Sequence, residues 1–104
     1  MIEITGQELQ EKISSGEDFI LDCYATWCGP CKVMMPMLES ASSQISNVNI
    51  YKYNVDSDMQ TTMSLGVKGV PTIKGYKSGK EVFNKVGLMQ TNELINLSKQ
   101  IING

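Results

Sequence analysis

The run FILDCY, Phe19 to Tyr24, is apolar at nearly every position and constrains the fold more than any other segment. A strand with apolar side chains on both faces must be covered on both, as a central parallel strand of a layered α/β domain is. Asp22 is the exception inside it. The chain has 104 residues, 41% of them hydrophobic and 19% charged, enough to bury one core. No repeat, low-complexity tract or linker divides it, so a single domain over residues 1–104 is expected.

Elements of alternating type surround that strand. A short strand at Ile2 to Ile4 precedes a helix announced by Thr5 and Glu8 at capping-box spacing, with Leu9 and Ile13 on one face and Gly16 as its stop. Downstream, Met34, Leu38, Ala41 and Ile45 form a helical stripe, with Pro36 predicting a kink. NVNIYKYNVD reads as a strand, and Met59 and Met63 mark a short helix ended by Gly66. PTIKGY and EVFNKV flank KSGK as a hairpin, and Leu94, Leu97 and Ile101 form a last helix after a Thr91 cap. The order is β-α-β-α-β-α-β-β-α, and the early crossovers imply parallel pairing.

Composition narrows the function. The formal net charge is −2, with nine lysines, no arginine and no histidine. That excludes the basic stripe of a nucleic-acid binder and the usual neutral-pH general base and metal ligand. Small molecules, peptides or proteins are the expected partners. The apolar runs fall far short of the ~20 residues of a membrane span, and MIEITGQELQ has no basic start or apolar middle. No membrane partner and a cytoplasmic address are therefore expected. Three cysteines leave one unpaired, a poor disulfide framework and a better match to a reducing compartment.

The chemistry concentrates in ATWCGPCK, Ala25 to Lys32. Residues i and i+3 of a helix lie about 5 Å apart at Cα, within the range a disulfide accepts. With Cys28 at the N-cap, Gly29 and Pro30 open the helix, and Cys31 supplies the nearest free N–H. That donor and the helix dipole favour a thiolate at Cys28. Cys31, one turn inside, is expected to be more buried and to keep its proton longer. Such asymmetry suits one sulfur attacking and the other resolving. A zinc or iron–sulfur site needs about four ligands, and the chain offers neither a second C-x-x-C nor a histidine pair. A structural staple closing so short a loop would add little stability. Redox chemistry is the reading that the pair fits best.

WCGPCK, with LD upstream of it and GVPT downstream, resembles the thioredoxin family, and NVD, KSGK and KVG extend the similarity over essentially the whole chain. The resemblance implies the thioredoxin fold, a central five-stranded mixed sheet flanked by four α-helices, and protein-disulfide reduction by a monomer. It implies no bound cofactor, a redox-active Cys28–Cys31 disulfide, disulfide-containing target proteins, and recycling by a thioredoxin reductase that draws on NADPH. Gly29 and Pro30 between the cysteines go with the reductants of the family. Asp22 is expected to take the proton of Cys31, with burial raising its pKa and Lys52 opposing that shift. A cis Val70–Pro71 bond is implied, leaving Val70 backbone groups to hold an extended substrate. Trp27, Gly69, Val70, Gly87 and Met89 complete the expected docking patch.

Cys23 and most of the seven methionines are read as core residues. Two departures from the family stand out. Lys74 and Gly75 fall inside the strand after Pro71, where a lysine must snorkel or pair and a glycine weakens the ladder. Tyr24 stands where many relatives have a second tryptophan. The reading from a different class is a binding module that uses the same patch without turnover and tolerates loss of Cys31.

Overall fold

Thr5 and Glu8 form the expected capping box: the Glu8 N–H donates to Thr5 Oγ1 at 3.1 Å, and the Thr5 N–H to Glu8 Oε1 at 2.9 Å. In the computed structural model, which describes residues 1–103, they open the first of four helices. The order is β1 (Ile2–Glu3), α1 (Gly6–Ser14), β2 (Phe19–Tyr24), α2 (Gly29–Gln44), β3 (Asn49–Asn54), α3 (Met59–Leu65), β4 (Thr72–Lys77), β5 (Lys80–Val86) and α4 (Thr91–Ile102). Gly104, included in the one-domain expectation, lies outside the described residues.

The sheet order is β1-β3-β2-β4-β5. β3 pairs parallel with β1 and β2, whereas β4 pairs antiparallel with β2 and β5, so the sheet is mixed. β2 is its central strand, as its two-faced apolar pattern requires. Leu21 and Cys23 point into one core with Leu9, Tyr53 and Tyr76, and Ile20 points into the other with Met34, Leu38, Ile73 and Leu94. Phe19 joins the first core and stacks on Tyr76 with ring centroids 4.8 Å apart.

α2 buries Met34, Leu38 and Ala41 as expected and contains Pro36. Several other expectations are corrected. Ile45 is the C-cap of α2. The N-cap of α4 is Gln90, whose N–H donates to Glu93 at 3.2 Å, while the Thr91 hydroxyl donates to the Met37 carbonyl. Ser98 is buried with Leu94 and Ile101, and Leu97 packs against the same core partly buried. Of the methionines, only Met34 and Met89 are fully buried, and Met59 and Met63 stand out into solvent from α3.

β4 keeps both unusual residues. Gly75 lies against the Phe83 ring, and a Cβ there would come within 2.1 Å of Phe83 Cε2, so the aromatic side chain takes the space. Lys74 is buried and pairs with Glu81 at 2.5 Å, across a strand pair whose register shifts between Gly75 and Tyr76. The Lys74 side chain is 3% exposed and that of Glu81 42%. Removing either partner should therefore have unequal effects. Glu81→Leu strands a buried ammonium and should lose about 2 kcal/mol, discounted from a fully buried pair because water reaches the carboxylate. Lys74→Leu leaves a carboxylate that water can solvate and should match or exceed the wild-type denaturation midpoint. Urea unfolding of the two variants checks the order.

Candidate active site

The turn after β2 delivers Cys28 to the start of α2. Its φ of −87° and ψ of 111° are those of an N-cap, with Gly29 and Pro30 as the first helical residues. Cys28 Sγ accepts the Cys31 N–H at 3.2 Å, and the two cysteines are closed as a disulfide with their Cα atoms 5.3 Å apart. Both are 3% exposed, so the expectation that Cys31 is the more buried is not met. The asymmetry lies in the helix end, which presents its free N–H and its dipole to Cys28.

Asp22 is 1% exposed, and its Oδ1 has no hydrogen-bond partner among the described residues. Burial pushes its pKa up to about 7, opposed by the Lys52 ammonium. Lys52 stands opposite Asp22 in the β2–β3 register and is partly exposed. Neither belongs to an ion pair among the described residues. Cys23 faces the other core, and burial first, then the Asp22 charge, pushes its thiol up to about 12, which leaves it a neutral core residue.

Trp27 is 71% exposed, and its indole N–H donates to Asp56 Oδ2 at 2.9 Å. Beside it an open groove of about 170 Å³ is lined by Met59, Val67, Gly69 and Val70 among others. The Val70–Pro71 bond is cis. The loop around it is tied down by Thr72 Oγ1 donating to the Gly69 carbonyl at 2.6 Å and by the Gly87 N–H donating to the Pro71 carbonyl at 2.9 Å. Gly87 adopts φ 102°, a conformation in which a side chain is strained. Gly29 and Pro30 are exposed, Gly69, Val70 and Gly87 are partly so, and Pro71 is buried.

Met89 is the misplaced member of the expected patch. It is 5% exposed, and its N–H points at Met34 Sδ at 3.3 Å inside the second core. The exposed apolar residues flanking Gly87 are Val86 and Leu88. Sequence reasoning also missed Asp56 and Met59. Asp56 lies in the quoted NVD, whose place just past a strand was the available signal.

A family model described as Thioredoxin matches residues 1–100. A thioredoxin of Chlamydia trachomatis is 37% identical over 98 residues, covering 93% of this chain and 95% of that protein. Among solved structures, chloroplastic thioredoxin z superposes with a TM-score of 0.88 at 29% identity, over 100% of this chain and 96% of the other. Plasmodium falciparum thioredoxin does so with a TM-score of 0.86 at 30% identity, over 96% and 98%. With a cysteine pair at disulfide distance where β2 hands over to α2, and a match over nearly its full length, the chain belongs to the thioredoxin family and is a thioredoxin-type protein-disulfide reductase.

Proposed function

We propose that Cys28 is the attacking sulfur and Cys31 the resolving one. The observation that carries this is the Cys31 N–H donated to Cys28 Sγ at the start of a 16-residue helix. The Cys28 thiolate attacks one sulfur of a target disulfide, forming a mixed disulfide and expelling the other sulfur as a thiolate. Cys31 then gives its proton to Asp22, directly or through water, and attacks Cys28 Sγ. The Cys28–Cys31 bond closes, the second target thiolate leaves, and two electrons have passed to the target. Lys52 limits how far burial raises Asp22, keeping that carboxylate able to accept and return a proton near neutrality. Trp27, Gly29, Pro30, Gly69, Val70, Pro71 and Gly87 form the surface on which an extended target segment lies, with Val86 and Leu88 replacing Met89 at its rim.

The electrons that reopen the disulfide come from NADPH through a flavoprotein thioredoxin reductase, and the chain acts as a monomeric carrier in the cytoplasm. An odd number of cysteines with one held inert in the core supports a reducing compartment. The test is insulin-disulfide reduction with NADPH and a thioredoxin reductase, followed as loss of NADPH absorbance and as insulin precipitation. Both should proceed and depend on the reductase. Precipitation driven by dithiothreitol, without NADPH consumption, would retain the chemistry and reject the donor.

A further inference from the structure

Glu3, Lys52 and Asp22 form a row across three adjacent strands. Glu3 pairs in register with Lys52, and Lys52 with Asp22, so a lysine is flanked by a carboxylate on each side. Side chains in register on neighbouring strands are within reach of one another, and an exposed Glu beside a Lys ordinarily pairs with it. Here no such pair forms. The Glu3 carboxylate accepts a hydrogen bond from the Tyr24 hydroxyl, and the Lys52 ammonium sits 5.9 Å from the Tyr24 ring centroid. We propose that the hydrogen bond from Tyr24 holds Glu3 off Lys52 and so leaves the Lys52 ammonium to Asp22. Tyr24 and Glu3 are positioning residues that act through Lys52.

The surroundings restrict the alternatives. Of the strand neighbours of Asp22, Lys52 is charged and Ile73 is not. α2 and α4, which cover this face, turn no charged side chain into the core. Of the groups they bury, Cys31 alone titrates, and only when reduced. Tyr24 keeps its proton, because burial and then the Glu3 carboxylate push its pKa up to about 12. Its donation to Glu3 therefore persists at the pH where Asp22 titrates. Without the hydroxyl, Glu3 is free to capture Lys52, and Asp22 loses the charge that stabilises its ionised form.

The consequence for catalysis rests on the role proposed for Asp22, but the test does not. In the oxidised protein, with aspartate carboxyls isotope-labelled, the titration midpoint of Asp22 is read by infrared or NMR spectroscopy. Tyr24→Phe, which keeps the ring, should raise that midpoint by about half a pH unit. The rise should vanish when Glu3→Gln or Lys52→Met is added, because each removes one member of the competing pair. An unchanged or lowered midpoint in Tyr24→Phe overturns the proposal. So does a rise that survives either second substitution.

Discussion

Cys31→Ser is expected to accumulate a mixed disulfide with its targets, and Cys28→Ser almost none. In the first variant the sulfur at the helix start survives, so attack on a target disulfide proceeds, but no second sulfur displaces the product. In the second, the remaining thiol lies within the first turn and accepts no hydrogen bond among the described residues, so its thiolate fraction should be small. Because both cysteines are equally buried, depth cannot produce the difference; the hydrogen bond and the dipole must. Incubation with a disulfide-containing protein, an acid quench and a non-reducing gel with mass spectrometry should show at least roughly tenfold more adduct for Cys31→Ser. Equal yields would contradict the assignment of Cys28 as the attacking sulfur. A chain that used its apolar patch for binding alone would give adduct from neither.

The parts of this arrangement written in short stretches were legible in the sequence. FILDCY became β2 with the bounds read from its apolar run, and Thr5 with Glu8 capped α1, because strand burial and capping are settled within a few residues. Cys28 fell on the N-cap for the same reason: Gly-Pro can open a helix and cannot continue a strand. What escaped depends on residues far apart in the chain. The acceptor for the Trp27 indole is Asp56 on the loop after β3, and nothing in WCGPC indicates it. Met89 and Leu88 are adjacent, and which of them turns inward is decided by where Met34 on α2 ends up. The partner of Lys74 is set by a register shift at Gly75, which admits the Phe83 ring and brings Glu81 into place. Methionine carries the weakest signal, since a flexible thioether serves a core and an exposed docking ridge alike.

Asp22→Ala should make the protein more stable at neutral and alkaline pH while slowing its disulfide exchange. The native carboxyl, with its pKa raised to about 7 from an ordinary 3.8, holds its proton where the unfolded chain has released it. Below the unfolded value both states are protonated, and the site's contribution to stability is fully present. As pH rises toward the native value, that contribution falls by up to about 1.4 kcal/mol per pH unit, and above about 7 the loss levels off. Replacing the carboxyl by a methyl removes this dependence, so the mutant's advantage should be small at pH 4 and reach on the order of 4 kcal/mol at pH 8. Asp22→Asn, which keeps the volume, separates ionisation from any cost of the smaller side chain and should show the same pH trend. Exchange should slow in both variants by on the order of tenfold, because Cys31 loses the proton acceptor proposed for it while water remains as a poorer one. Urea midpoints and insulin-reduction rates across this pH range measure both effects. A mutant no more stable than the wild type at pH 8 would mean that the Asp22 carboxylate is solvated or paired in solution. A stability gain without slower exchange would mean that Asp22 is a buried charge with no part in resolving the mixed disulfide.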